Sequence, residues 1–278
     1  MEPKQPIDRI GKWSEEKLDL LGKYLNAYTK IMKGQEWCKN GYHYIDAFAG
    51  TGKPMAKDEE RYIDGSPIVA LKVKYPFKSY TFIEEEDWRV ERLKKLRDEF
   101  PNMDIQIRHG DCNTIIIDEI VPKIRYENFN RGIVFLDPFG MNIEWPTIQS
   151  IAATRALEIF LNFPVLAINR TVLRNDPYKL SKKQVKRMNR FWGSADWKDD
   201  IYQEATDLLG AYIEKTPQTA KGLGLKFQKR LEEVFPEVTF PIVMRNSKGT
   251  PLYCLIFAGH NTIGKNIAES IFRRFESL

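Results

Sequence analysis

Residues 42–52 read Tyr-His-Tyr-Ile-Asp-Ala-Phe-Ala-Gly-Thr-Gly. The first four are aromatic and β-branched residues, which favour a short buried strand. Asp46 ends this strand, and Gly50 and Gly52 follow in a loop whose backbone can take positive φ and approach a ligand closely. A strand that runs into a glycine-rich turn is one way to bind a nucleotide-like cofactor at the carboxyl edge of a parallel sheet. The alternative is an ordinary glycine turn after a core strand.

Acidic residues follow the next two predicted strands. The second strand covers residues 79–83, and Glu84 is the first acid after its apolar run. An acid at this position can accept hydrogen bonds from ribose hydroxyls, which selects adenosine-type ligands. A charged helix over 87–99 comes next, and a third strand over 104–108 runs into Gly-Asp-Cys-Asn at 110–113.

Two more strands carry polar residues at their ends. Residues 133–136 form a continuous apolar run, as expected for a central parallel strand, and Asp-Pro-Phe follows at 137–139. Open α/β sheets place their chemistry at this edge. A fifth strand over 156–161 ends in Asn162 and Phe163. The alternative role for Asp137 is to cap the turn that follows it.

Helices are predicted around this strand series. An amphipathic helix over 15–33 has Ser14 as its N-cap, and it precedes the first strand. The polar stretch 53–65 separates the glycine loop from a short helix over 67–74, and it forms either a lid or a plain surface loop. Residues 180–192, 198–214 and 216–234 are each predicted to be helical.

The segment from residue 165 to about 237 differs from the rest of the chain. It contains a run of basic residues with few acids, followed by aromatic residues, and this combination suits phosphates and stacked bases. The alternative is a solvated helix face with core tryptophans. After this lobe, strands 240–245 and 252–258 form a hairpin through Gly249, and a helix over 262–275 ends the predicted series.

The composition describes a globular protein with reduced thiols. The chain has 278 residues, 42% hydrophobic residues, a formal net charge of +5 and no apolar run near the ~20 residues that span a bilayer. Its three cysteines are scattered, with no CxxC and no histidine at metal spacing, so we expect no metal site, no membrane association and a cytoplasmic location. The positive charge is compatible with a nucleic acid partner, DNA or RNA.

The order of the motifs carries a family resemblance. Asp-x-Phe-x-Gly-x-Gly resembles the first motif of S-adenosylmethionine (SAM) methyltransferases, and five β–α units before a terminal hairpin match their seven-stranded sheet. With Trp-x-x-x-Lys, Asp-Gly-Ser-Pro, Phe-Ile-Glu, Gly-Asp-Cys-Asn, Phe-Leu-Asp-Pro-Phe-Gly and Asn-Phe-Pro, the series resembles the three-Cys-motif partner (TcmP) family from about residue 12 to 170. The resemblance implies a Rossmann-like α/β SAM methyltransferase fold with an inserted helical lobe.

The resemblance also implies a cofactor, a partner and a division of the chain. The cofactor is SAM, and the partner is a radical-SAM-like three-Cys protein. Residues 1–35 would cover the cofactor site, 36–165 would form the core, 166–238 the lobe for substrate or partner, and 239–278 the hairpin and helix that complete the core. The residues expected to bind the cofactor are Trp13, Lys17, Asp46, Phe48, Gly50, Gly52, Glu84, Asp111 and Cys112.

The tripeptide at 137–139 is similar to the Asp-Pro-Pro-Tyr/Phe motif of enzymes that methylate exocyclic amines of bases. The expected catalytic residues are Asp137, Pro138 and Phe139. This chain has one proline, and its aromatic residue comes one position early, so Phe163 is an alternative stacking residue. The expected substrate residues are Asn162, Phe163, Arg170, Lys182, Lys183 and Lys186.

Three functions are therefore open. The first is N-methylation of a nucleic acid base, and the second is methylation of a small molecule or protein. The third is a non-catalytic partner or regulatory subunit that keeps the fold.

Overall fold

The structure is a computed structural model that describes residues 7–174, 179–207 and 210–277. The first six residues of the segment assigned to 1–35, residues 208–209 of the helix predicted over 198–214, and Leu278 of the C-terminal segment 239–278 lie outside the described ranges, as do 175–178 of the lobe. The strands are β1 (Arg9–Ile10), β2 (Tyr42–Asp46), β3 (Met55–Ala56), β4 (Ser79–Glu84), β5 (Ile105–His109), β6 (Arg131–Leu136), β7 (Leu157–Phe163), β8 (Tyr202–Asp207), β9 (Gly210–Lys215), β10 (Glu237–Val238), β11 (Ile242–Arg245) and β12 (Pro251–Gly259). The helices are α1 (Lys12–Met32), α2 (Ser66–Leu71), α3 (Asp87–Asp98), α4 (Cys112–Ile115), α5 (Trp145–Ala153), α6 (Val165–Thr171), α7 (Lys182–Trp192), α8 (Trp197–Ile201), α9 (Ala220–Glu232) and α10 (Thr262–Glu276).

One central sheet organises the chain. Its strand order is β5-β4-β2-β6-β7-β12-β10, and β11 also pairs with β12. The strands from β5 to β7 are parallel, whereas β12 runs antiparallel to β7. This order, with its antiparallel terminal hairpin, confirms the Rossmann-like methyltransferase fold.

The last sheet position is split into two strands. Both β10 and β11 pair with β12, at opposite ends of it, and residues 239–241 separate them. Pro241 lacks the N–H that a paired strand residue would donate. The strand predicted to begin at residue 240 therefore begins at Ile242.

Helices cover both faces of the sheet. Apolar side chains of α1, α2, α3 and α10 pack on one face, and those of α5, α6, α7 and α9 pack on the other. Neighbouring residues of a strand alternate between these layers, as Tyr44 and Ile45 do, because successive side chains point to opposite sides. The carboxyl ends of five parallel strands therefore meet at one edge between two helical layers.

The helix starts differ from the predicted ones. The N-cap of α1 is Gly11, and Ser14 lies inside the helix, where its N–H donates to the Gly11 carbonyl at 2.8 Å. Helix α2 has Gly65 as its N-cap and ends at Leu71, three residues earlier than expected. Both helices begin at an extended glycine rather than at a serine cap.

One helix prediction in the lobe is wrong. Helices α7 and α9 lie close to the predicted positions, but among the described residues of 198–214 only α8 is helical, and the paired strands β8 and β9 follow it. Gly210 is unfavourable in a helix interior, and the Tyr, Thr and Ile residues of this stretch favour strands. The lobe is therefore not purely helical.

Within the described ranges, every helix is too short or too polar to cross a membrane.

Candidate functional site at the carboxyl edge of the sheet

The sheet brings the predicted polar residues to one edge. Asp46 and Glu84 are the last residues of β2 and β4, and Asp111 follows β5 by two residues. Asp137 directly follows β6, and Asn162 lies next to the end of β7. Residues that are up to 116 positions apart thus meet because parallel strands end together.

A cavity of about 430 Å³ opens at this edge. Five of the predicted site residues line it: Phe48, Glu84, Asp111, Cys112 and Phe139. Such a volume lies within the usual range for a pocket that holds a small molecule.

Glu84 holds the glycine loop against the sheet. Its buried carboxylate accepts hydrogen bonds from the Gly50 N–H at 2.9 Å, the Glu85 N–H at 3.0 Å and the Glu86 N–H at 3.1 Å. A carboxylate offers about four acceptor positions. Glu84 therefore keeps capacity for a further donor in the cavity, whereas Glu85 and Glu86 are exposed at its rim.

The two glycines of the loop have different roles. Both have positive φ, 60° at Gly50 and 74° at Gly52. A Cβ on Gly52 would stand 2.6 Å from Leu96 Cδ2, so this glycine lets the loop pack against α3. A Cβ on Gly50 would meet only a carboxylate oxygen of Asp8, at 3.8 Å. Of the two glycines, Gly50 is the one that leaves space open.

Asp46 supports the loop from beneath. Its fully buried carboxylate accepts from the Tyr44 hydroxyl at 3.2 Å and from the Phe48 N–H at 3.3 Å. Burial raises the pKa of Asp46 to about 7. Asp46 does not line the cavity, so its contacts make it a support for the loop.

Asp111 and Cys112 are also tied into local structure. Asp111 caps α4, because its carboxylate accepts from the Thr114 N–H at 3.0 Å. Asn113, which follows them, accepts from the Glu144 N–H at 2.8 Å and so joins α4 to the start of α5. The Cys112 thiol is buried, and burial raises its pKa. It therefore contributes an apolar wall to the cavity rather than a reactive thiolate.

Asp137 has two charged or polar partners. The ammonium group of Lys17, on α1, contacts one of its oxygens, and the amide nitrogen of Asn162 donates to the other. Lys17 is 6% exposed and lies 5.5 Å from the centre of the Tyr253 ring. Lys17 thus pairs with the candidate catalytic carboxylate, a contact that the sequence did not indicate.

Asn162 presents an unused acceptor. Its side chain is buried, and within the described ranges its amide oxygen accepts no hydrogen bond. A buried polar atom without a partner is costly unless a ligand or water satisfies it. The pair of Asp137 and Asn162 is therefore a candidate acceptor set for N–H donors.

The structure separates the two candidate stacking residues. Phe139 is 63% exposed and lies at the cavity rim. Phe163 is fully buried and stacks on Phe227 with ring centres 4.6 Å apart. The prediction that Phe163 contacts substrate is therefore wrong, because strand alternation turns it away from the face that Asn162 shares with Asp137.

Trp13 lies apart from the cavity. Its ring packs over Gly11, where a Cβ would clash with it at 2.2 Å, and the ammonium group of Lys57 stands 5.4 Å from a ring centre. Its carbonyl accepts from the Tyr253 hydroxyl at 3.0 Å. These contacts make Trp13 an anchor of α1, and it is not among the cavity-lining residues.

Sequence reasoning missed Arg89 at the rim of the cavity. Arg89, on α3, donates to the Asp8 carboxylate at 2.9 Å, and its guanidinium lies 5.1 Å from the centre of the Phe139 ring. The Nε atom of Arg89 is buried without a partner in the described part of the chain. Arg89 is one of several charges on a highly charged helix, so its sequence context does not distinguish it.

Helix α7 places basic residues beside the loop that follows Asp137 and leads to α5. Arg187 donates to the Asn142 side chain at 2.5 Å, and Arg190 pairs with Glu144 at 3.2 Å. The predicted substrate residues Lys182, Lys183 and Lys186 are exposed on α7, and Arg170 is exposed on α6.

The insertion at 53–65 packs against the N-terminal part of the chain. Its strand β3 pairs with β1, and Ala56 and Ile63 pack with Leu18 of α1.

No metal cluster is found within residues 7–174, 179–207 and 210–277, since no three His, Cys, Asp or Glu side chains come close enough to hold an ion.

Comparisons with known proteins concern the fold. No protein-family model and no curated protein matches the chain. Protein LPL1258 from Legionella pneumophila matches 94% of this chain and 91% of its own, with 10% identity and a TM-score of 0.56. The N-terminal domain of EvdMO1 with SAH bound matches 86% of this chain and 80% of its own, with 11% identity and a TM-score of 0.42. TYW2 from M. jannaschii in complex with AdoMet matches 89% of this chain and 75% of its own, with 10% identity and a TM-score of 0.36.

The TM-scores of EvdMO1 and TYW2 are too low to support a conclusion about this chain. The likeness to the Legionella protein agrees with the strand order, and together they give the chain a Rossmann-like α/β fold.

Proposed function

We propose that this protein is a SAM-dependent methyltransferase that methylates an exocyclic amine of a nucleic acid base. The observation that carries the proposal is the pair of acceptors formed by Asp137 and Asn162, which lie at the ends of β6 and β7, on the same edge of the sheet as the cavity. The fold supports it, because this edge is where such sheets bind ligands.

The cavity residues fit the proposed cofactor. Gly50 leaves room for a ligand to approach the loop backbone, and Glu84 keeps an acceptor position for ribose hydroxyls. The carboxylate of Asp111 stands across the same cavity, where it would accept from the adenine amino group. When bound, SAM supplies a methyl group on a sulfonium that needs no further activation.

The chemistry of an exocyclic amine explains why two acceptors matter. The amine lone pair is delocalised into the ring, so the nitrogen is flat and a poor nucleophile. Asp137 and the amide oxygen of Asn162 would each accept one N–H, which favours a pyramidal nitrogen with its lone pair free. The nitrogen would gain the methyl group as its bond to sulfur breaks and the sulfonium leaves as a neutral thioether, and the proton that the nitrogen loses would pass to the Asp137 carboxylate. Alignment of the two reactants accounts for much of the rate.

Lys17 and Phe139 complete this arrangement. The ammonium group of Lys17 contacts one oxygen of the Asp137 carboxylate and so fixes the orientation of this acceptor. The exposed ring of Phe139 offers a face on which a flipped base can stack. In this proposal Lys17 pairs with the Asp137 carboxylate, and it does not need to cover the cofactor.

A nucleic acid substrate is supported by the charge around the site. Lys182, Lys183 and Lys186 project from α7, and the same helix contacts the loop after Asp137 through Arg187. Basic side chains next to an aromatic rim suit phosphates and unstacked bases.

A second candidate is a non-catalytic subunit of a three-Cys-motif protein. One observation favours it: both oxygens of Asp137 already have partners in the protein, Lys17 and Asn162. In that case the fold would serve partner binding, and Asp137 would have a structural role. Detectable methyl transfer to any natural acceptor would exclude this candidate.

The test measures SAM binding and methyl transfer separately. The purified protein is titrated with SAM by calorimetry and then incubated with radiolabelled SAM and total RNA or DNA. Asp137→Ala is expected to abolish transfer and to leave SAM affinity unchanged. Asp19→Ala, an exposed acid on α1, is the matched control and should behave like the native protein.

Two outcomes would contradict the proposal. Loss of SAM binding together with activity in Asp137→Ala would mean that this residue binds cofactor. Absence of SAM binding by the folded native protein would favour the non-catalytic candidate.

A further inference from the structure

A second cavity, of about 400 Å³, lies at the opposite edge of the sheet. It is lined by Arg131 and Leu157, which begin β6 and β7, and by the C-terminal half of α1. His260 and the first turn of α10 close it on the other side. None of the residues proposed for methyl transfer lines this amino-edge cavity.

The floor of the amino-edge cavity carries a carboxyl group. Glu158 accepts a hydrogen bond from the Tyr24 hydroxyl at 2.8 Å with one oxygen. Its other oxygen, Oε1, faces Gly264 of α10. Gly264 lets α10 approach this oxygen, because a Cβ there would lie only 3.0 Å away. Burial raises the pKa of Glu158 to about 7.

The mouth of the amino-edge cavity is aromatic and cationic. Trp37 is 42% exposed and Tyr126 is 49% exposed. The Arg131 guanidinium lies between them, 4.4 Å from a Trp37 ring centre and 3.9 Å from that of Tyr126. The Arg155 guanidinium is 5.5 Å from the Tyr126 ring and is exposed. Flat rings with two guanidinium groups suit a planar heterocycle that bears an anion.

The backbone is strained at the same place. Among the described residues, only Phe129 and Arg155 combine a side chain with positive φ, at 56° and 54°. Arg155 lines the cavity, and Phe129 ends the turn that carries Tyr126. Strained non-glycine residues cluster at functional sites more often than elsewhere, because the strain must be held by surrounding structure.

We propose that the amino-edge cavity binds a free guanine mononucleotide. The Glu158 carboxylate would accept from the N1–H and the 2-amino group, which are adjacent donors on guanine. Adenine presents a donor beside an acceptor, and the acceptor would face the carboxylate unfavourably. The rings of Trp37 and Tyr126 would contact the base, and Arg155 would contact the phosphate. This site is independent of the methyltransferase proposal.

The test is calorimetric titration of the full chain with GMP and with AMP. The native protein is expected to bind GMP at least about tenfold more tightly than AMP, because hydrogen bonds to a charged group contribute strongly. Glu158→Gln should remove this preference. Glu91→Gln, at an exposed acid on α3, is the control and should keep it.

A second variant separates binding from folding. Arg155→Gly removes the guanidinium and suits the positive φ, so its melting temperature should equal or exceed that of the native protein. Its affinity for GMP should fall at least about tenfold.

Three results would overturn the proposal: no GMP binding by the native protein at millimolar concentration, equal affinity for AMP, or unchanged GMP affinity in a folded Glu158→Gln. A third ligand, an RNA oligonucleotide with a 5′-terminal guanosine phosphate, distinguishes the source of the nucleotide. Binding of the oligonucleotide without binding of GMP would show a nucleic acid end site and exclude the free nucleotide.

Discussion

The ammonium group of Lys17 contacts the carboxylate of Asp137 although the two residues are 120 positions apart. Lys17 comes from the helix before the first strand of the sheet, and Asp137 follows the central strand β6. The lysine is almost fully buried, whereas 29% of the Asp137 side chain is exposed. The pair therefore links the position of α1 to the charge of the candidate catalytic group.

Replacement of Lys17 should affect stability and turnover together. Lys17→Met leaves the Asp137 carboxylate without its cation, so we expect a loss of about 2 kcal/mol of unfolding free energy, below the cost of breaking a fully buried pair because Asp137 is partly exposed. Turnover should fall about 100-fold, as when one preorganised charge is removed from an active site. Chemical denaturation and single-turnover methyl transfer measure the two effects.

The double variant distinguishes charge from packing. Lys17→Met with Asp137→Asn should regain most of the lost stability, since no unpaired charge remains, but it should not regain turnover. Lys23→Met, at an exposed lysine on the same helix, is the control and should change neither. Equal losses in Lys23→Met would contradict a specific role for Lys17.

Removal of the Asn162 amide should lower turnover and leave SAM affinity nearly unchanged. Asn162→Ala deletes the amide oxygen that has no partner in the described structure and the N–H that donates to Asp137, so we expect kcat to fall about 10- to 100-fold while the Kd for SAM stays within about twofold. Asn266→Ala, at an exposed position on α10, is the control. If kcat is unchanged in Asn162→Ala, the amide does not contact the target amine.

Glu84 should determine cofactor affinity. Glu84→Gln weakens the acceptor for ribose hydroxyls and the hydrogen bond from the Gly50 N–H, so SAM affinity should fall at least about tenfold. Glu85→Gln changes the neighbouring exposed acid and should leave the affinity nearly unchanged. Calorimetric titration of both variants measures the difference, and an equal loss of affinity in both would contradict a specific role for Glu84.

The exposed lysines of α7 should determine the salt dependence of nucleic acid binding. Replacing Lys182, Lys183 and Lys186 by Gln should weaken binding to every sequence and reduce the slope of log K against log salt by about 2 to 3. Binding is measured by fluorescence anisotropy at several salt concentrations.

The control for these lysines lies on the other side of the sheet. Gln at Lys94, Lys95 and Arg97 removes equal charge from α3, and these variants should keep the native slope. The same decrease for both helices would mean that only net charge matters and that α7 is not a binding surface.

Asp46 should make the protein less stable as pH rises from about 4 to 7. Its pKa is about 7 in the folded state and near 3.8 in the unfolded state, so over this interval the unfolded chain releases a proton that the folded chain keeps. The free energy of unfolding should fall by up to about 4 kcal/mol and then level off above pH 7. Asp46→Asn should flatten this dependence in thermal unfolding, whereas Asp19→Asn should not.

Sequence reasoning located the parts of the site that depend on strand ends. Glu84 and Asp137 follow apolar runs, and parallel strands must end at a common edge, so their proximity follows from local pattern and topology. The pairing of Lys17 with Asp137 depends on how α1 docks on the finished sheet, and no local pattern encodes it. Phe163 follows Asn162 in the same strand, so the two side chains point to opposite faces of the sheet and Phe163 lies in the core.

The lobe shows a different limit. Residues 202–215 contain strand-favouring residues at spacings that also suit a helix. Whether a short segment of this kind forms a strand or a helix depends on the structure that it pairs or packs with. Here the partner is the segment itself, folded back as a hairpin, with Tyr202 opposite Lys215.

The contacts of α1 have a consequence for synthesis of the chain. The Tyr253 hydroxyl donates to the Trp13 carbonyl across 240 residues, and α1 packs against α10. The helix that supplies Lys17 therefore cannot dock completely until α10 has left the ribosome. A nascent chain that lacks β12 and α10 would hold Asp137 without a seated cation, so the site would assemble only once these two elements have emerged.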